Sequence, residues 1–132
     1  MSDAGQGWNR RQFTRVRTRL TTVIKLLATD KILRVLTRDV GEIGVCVVLD
    51  EQLEVGTPVE GEITLPDSEI HVRFFGQVMW AQALGSPSPS GQPQMSEAGL
   101  RFLSIDPRDH SLIVQYAKLN ALPPEFDGNA SG

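Results

Sequence analysis

The stretch "KILRVLTRDVGEIGVCVVLD", Lys31 to Asp50, reads as two strands joined by a glycine-bearing junction. Its first half follows the turn-like "ATD" as a short β-rich run. Its second half, "GVCVVLD", is the near-continuous apolar run expected of a strand packed on both sides. Between them "RDVGEIGV", Arg38 to Val45, places Asp39, Gly41 and Gly44 at the junction. The glycines permit a tight turn and a close backbone approach. By itself Asp-x-Gly-x-x-Gly is more often an ordinary turn than a site.

Outward from this pair the chain continues in short β-rich runs. "VRTRLTTVIKLL" (Val16–Leu27) carries Val16, Thr18 and Leu20 on one face and Arg15, Arg17 and Arg19 on the other. "EVGTPVEGEITLP" and "EIHVRFFGQVMWAQAL" alternate again, with "PDS" supplying a turn. "AGLRFLSI" adds a strand after the Pro/Ser/Gly-rich break between Leu84 and Ala98, which reads as an extended hairpin loop over 85–98. Short strands separated by turn signals predict a mainly β domain, a small barrel or sandwich. One helix follows: Asp106 as N-cap, Pro107 in the first position, Asp109 in the first turn, then Leu112, Ile113, Tyr116 and Leu119 as an apolar stripe. "PPEF" ends it.

With 132 residues and 40% apolar content, the chain has enough for one domain and one modest core. The expected division is a flexible lead-in over 1–9, a domain over 10–122 and a flexible tail over 123–132. The net charge of −3 gives no overall attraction to nucleic acid polymers. Cys46 is the single cysteine; its valine neighbours point to a buried structural thiol, and a reducing cytoplasm fits. Neither a signal-peptide run nor an apolar stretch near the ~20 residues of a membrane span is present, so no membrane insertion is expected.

The charge is unevenly placed. Residues 1–29 hold six of the thirteen Lys and Arg but only one acid, Asp3. "NRRQFTRVRTRL", Asn9 to Leu20, carries five arginines and no acid. Composition alone makes this a solvated basic face, or a disordered arm that neutralises nearby acids. Arginine also presents a planar fork that pairs with phosphate or a guanine edge and stacks on a base. A carboxylate such as Asp39 could accept from the N1–H and N2–H₂ groups of guanine.

The order of these features resembles the PilZ domain, a bacterial receptor module for cyclic di-GMP. Arg11-x-x-x-Arg15 comes first, then Asp39-x-Gly41-x-x-Gly44, "GQVMW" (Gly76–Trp80), "GLRF" (Gly99–Phe102) and a terminal helix. The resemblance spans roughly residues 10–118 and rests on several motifs. It implies a six-stranded antiparallel split barrel followed by a C-terminal helix, with ligand on the outer surface. Arg11 and Arg15 would then contact guanine and phosphate, Asp39 a guanine edge, Gly44 the open turn, and Arg10 would assist. Trp80 matches a structural position. Gly41 stands where the family usually has serine, which removes one ligand hydrogen bond. Such a bond is worth about 1.5–3 kcal/mol, or roughly 10- to 100-fold in affinity.

No catalytic group assembles from the sequence. His71 and His110 have no partners at metal-ligand spacing, and no metal or cofactor is expected. Asp106 and Asp109 read as capping residues. Cys46 has no basic sequence neighbour to activate it. The expectation is a non-catalytic cyclic di-GMP receptor that signals to an unidentified protein partner in motility, pilus or surface-polysaccharide control. The alternative is an interaction module of the same fold that binds no nucleotide. Weak RNA or DNA binding ranks last, because the acidic remainder repels a polyanion.

Overall fold

The structure, a computed structural model, describes residues 15–66, 69–85 and 94–120. Arg10 and Arg11, most of the expected loop and the expected tail lie outside the described residues. Seven strands run β1 (Arg15–Arg17), β2 (Thr21–Leu26), β3 (Lys31–Gly41), β4 (Gly44–Leu49), β5 (Pro58–Thr64), β6 (His71–Ala83) and β7 (Ser96–Ile105), followed by helix α1 (Pro107–Asn120). All pairings are antiparallel. The order β3-β2-β5-β6-β7-β4 closes on itself because β3 also pairs with β4, and β1 adds to β3 as an extra strand. Six strands therefore form the barrel, and its closure removes the exposed edges an open sheet would carry.

Alternation builds the core. Ile24, Val40, Val45, Val47, Val59, Ile63, Val72 and Val78 point inward and are buried, while their strand neighbours face out. The run "GVCVVL" of β4 is buried on both faces except at Val48, in line with its continuous apolar character. The β2–β3 hairpin turns through 27–30, where Asp30 takes φ 62°, a left-handed conformation that aspartate tolerates better than most residues.

The first β-rich run is not one strand. It breaks over Thr18 to Leu20, because the buried Thr37 hydroxyl enters the ladder: it donates to the Thr18 carbonyl and accepts from the Leu20 amide at 2.8 Å. Inward parity survives the break, with Val16, Leu20, Thr22 and Ile24 all buried. β7 begins at Ser96, two residues ahead of "AGLRFLSI".

Helix α1 starts as its sequence dictates. Asp106 Oδ1 accepts from the Arg108 amide at 2.8 Å, an N-cap bond, and Asp109 accepts from the Arg73 amide of β6 at 3.1 Å. Its buried stripe is centred on Ile113 and Ala117. Leu119, expected in that stripe, is 76% exposed. The helix packs against β1, β3 and β6. No helix among the described residues is long and apolar enough to cross a membrane.

Candidate functional site

Asp39 owes its position to an irregularity. Along β3, Thr37 faces Val47 and Asp39 faces Cys46, so Arg38 is an extra residue without a partner on β4. Such a bulge lets two consecutive side chains leave the same face and strengthens the local twist. Arg38 and Asp39 therefore both project from the barrel exterior.

β1 pairs with this end of β3, setting Arg15 opposite Gly41 and Arg17 opposite Asp39. Gly41 has no side chain, and Arg15 reaches diagonally past it. Both Arg15 Nε, at 3.1 Å, and Nη2 donate to Asp39 Oδ1. Arg38 Nε donates to the other oxygen, Oδ2, at 2.9 Å, and Arg38 Nη1 donates to Glu97 Oε1 of β7, also at 2.9 Å. Gln82 of β6 touches the same glutamate oxygen at 3.5 Å. Two arginines and two carboxylates thus form one charge-balanced chain across β1, β3 and β7.

Burial within this chain is unequal. The carboxylate side chains are 9% and 10% exposed, whereas Arg15 and Arg38 are 32% and 37% exposed. The acids lie in the floor and the guanidinium groups at the rim. Burial works against the charge on Arg38, but its hydrogen bonds to Asp39 and Glu97 and the nearby Cys46 and Asp39 charges hold its pKa above the ordinary arginine value.

Cys46 faces Asp39 on the same side of the sheet and is 1% exposed. Burial pushes its thiol up to about 11, over the opposing pull of Arg38. The sequence offered no basic neighbour, yet Arg38 arrives from the adjoining strand. Desolvation still wins, and the thiol is protonated at neutral pH.

Gly44 opens β4 opposite Arg101. A Cβ there would overlap the Leu100 carbonyl oxygen of β7, so the glycine is required by the neighbouring strand. The left-handed glycines among the described residues are Gly56 and Gly85, in other turns. The Trp80 indole occupies the space where a Cβ on Gly99 would lie, and Trp80 remains 40% exposed.

Two ties join α1 to the site. His110 Nε2 hydrogen-bonds the Glu42 carbonyl in the β3–β4 turn at 2.7 Å, and Tyr116 Oη meets Thr18 Oγ1, just beyond β1, at 3.0 Å. A separate groove of about 710 Å³, lined by Lys25, Glu60, Glu62, Arg73 and Phe75 among others, includes none of the motif residues among those described. Among the described residues no three His, Cys, Asp or Glu side chains gather as a metal site.

The structure therefore brings Arg15, Asp39 and Gly41 together and leaves Gly44 on the adjoining strand. Arg38 and Glu97 belong to the same cluster and were not singled out from sequence. The one available signal is "TRDV", where two consecutive charges interrupt an alternating strand.

A family model described as the PilZ domain matches residues 9–119. The chain belongs to the PilZ domain family. Among solved structures, this PilZ chain is similar to the Bacillus subtilis inhibitor of motility MotI/DgrA, with TM-score 0.65 and 21% identity over 83% of this chain and 50% of that one. It is similar to the PilZ domain of Escherichia coli YcgR, solved with c-di-GMP, with TM-score 0.66 and 16% identity over 84% and 91%. PlzA of Borreliella burgdorferi, in complex with c-di-GMP, follows with TM-score 0.54 and 13% identity over 89% and 54%. At these identities the likeness is one of fold, and the chain spans half the length of the MotI chain. No curated protein sequence matches it.

Proposed function

We propose that this PilZ domain is a non-catalytic receptor for cyclic di-GMP that reports ligand occupancy to a protein partner in the cytoplasm. The observation that carries the reading is the convergence of Arg15 and Asp39, 24 residues apart, on one spot of the barrel exterior with Gly41 beside them. On arrival of the ligand, Arg15 exchanges the carboxylate for a phosphate or the guanine O6/N7 edge. Asp39 Oδ1 then accepts from guanine N1–H and N2–H₂. Arg10 and Arg11 in the preceding segment add charge for the same ligand. The PilZ domains of YcgR and PlzA, solved with c-di-GMP, support this reading. The likeness to MotI, an inhibitor of motility, favours motility as the process controlled.

Calorimetry with cyclic di-GMP tests it. Wild type should give heat and a thermal shift, and ligand at 100 times Kd stabilises by about 2.7 kcal/mol. Gly41→Ser places a hydroxyl on the same outer face as Arg15 and Asp39 and should tighten binding by roughly 10- to 100-fold, the worth of one hydrogen bond to a charged group. No heat and no shift at ligand concentrations of about 100 μM, in wild type and in Gly41→Ser alike, overturns the reading.

A second reading has an observation of its own. Both oxygens of Asp39 are already paired, and Gly41 lacks the hydroxyl. A domain with a self-satisfied site would act by docking alone, and the titration above separates the two.

A further inference from the structure

Resting on the receptor reading, we infer that Arg38 is a positioning residue for Asp39: it holds Oδ2 permanently, so that Arg15 is the exchangeable partner and Oδ1 the oxygen offered to the nucleobase.

The two arginines are similarly exposed but differ in how they are anchored. Arg38 is fastened at both ends, to Asp39 Oδ2 and Glu97 Oε1, each at 2.9 Å. It stands on an eleven-residue strand that is paired on both sides and closes the barrel. Arg15 has Asp39 as its side-chain partner among the described residues and sits on a three-residue strand that pairs with β3 alone. Short edge elements open at low cost, whereas central strands open only near the global unfolding limit.

The pairing geometry adds a second function. An arginine facing a free carboxylate forms a fork, one nitrogen to each oxygen, which is the strong arrangement. Here Arg15 directs both Nε and Nη2 at the single oxygen Oδ1, because Arg38 occupies the other. Arg38 thereby keeps Arg15 in the weaker contact that a ligand can displace. It also fixes the plane of the carboxylate, and Glu97 fixes Arg38 from β7. A fixed acceptor discriminates between bases. Guanine presents N1–H and N2–H₂ donors to it, while adenine presents a bare N1 acceptor that the carboxylate repels.

Arginine Nε–H exchange measured by NMR on the free protein tests the asymmetry without any ligand. The Arg38 Nε–H should exchange at least about tenfold more slowly than that of Arg15, and Arg38→Met should slow the Arg15 signal as it gains the fork. Equal exchange rates in wild type, or an Arg15 signal unmoved by Arg38→Met, overturn the inference whether or not nucleotide binds. Nucleotide titrations give the second readout. Arg38→Met should weaken cyclic di-GMP by about tenfold or more and reduce its preference over cyclic di-AMP, with Arg38→Lys restoring part of the loss. Wild-type affinity in Arg38→Met, or equal weakening toward both nucleotides, overturns the positioning role. A wild type that binds neither nucleotide rejects the receptor reading instead, and the exchange data then decide the inference alone.

Discussion

β1 and β3 supply the two ends of one ion pair and are built on opposite plans. β3 runs eleven residues, pairs with β1, β2 and β4, and contributes Val35 and Val40 to the core. β1 runs three residues, pairs with β3 alone, and contributes Val16. Beyond its ladder with β3, it is tied just past its end: the Thr18 amide donates to the Arg38 carbonyl at 3.1 Å, and the Thr18 hydroxyl meets Tyr116. The acid is thus set in the barrel wall and the base on its margin. Recognition of a base edge needs a fixed acceptor, and capture of an anion needs a cation that moves. In the proposed receptor this division of labour would follow from strand length and pairing.

Breaking the rigid side should have the largest effect. Gly44→Val drives a side chain into the Leu100 carbonyl between two paired strands. Backbone cannot yield as a flexible side chain would, and a loss of more than about 3 kcal/mol in urea unfolding is expected. Asp39→Ala comes next. It strips both arginines of their shared partner at a nearly buried position, yet the arginines keep contact with water. The expected cost is about 1–3 kcal/mol in stability, with cyclic di-GMP binding lost in calorimetry.

Arg15→Ala sharpens the contrast, because its two effects should separate. Arg15 is a third exposed and sits on the edge strand, so thermal stability should change by less than about 1 kcal/mol. Ligand affinity should fall by roughly 10- to 100-fold. Equal losses in both measurements would erase the distinction between wall and margin. Tyr116→Phe is the mildest. It removes the hydroxyl that holds Thr18, costs about 0.5–1.5 kcal/mol at most, and should raise amide exchange in β1 while leaving β3 protected.

Much of the wall was legible in the sequence. Inward residues such as Ile24, Val59, Ile63 and Val72 stand out by alternation, and Asp106-Pro107 announces the helix by cap chemistry. The break after β1 was hidden because the inward parity runs straight through it. It is caused by the Thr37 hydroxyl, which is distant in sequence. The sequence pattern runs the helical stripe through Leu119, but Ala117 is what the barrel buries; burial there follows the position of neighbouring strands, not side-chain size. Of the site, Arg15 and Asp39 were visible as motif members. Arg38 was not, since a bulge is a property of two strands together and only one is read at a time. Glu97 lies 59 residues from Arg38, and no local pattern links them.

The close contact at Gly44 bears on how kin of this chain should be interpreted. Because β7 by itself forbids a side chain there, a relative that binds no messenger would still be obliged to keep that glycine. Its persistence therefore certifies the architecture. Loss or retention of the arginine and the acid is the informative character for anyone sorting working receptors from retired ones.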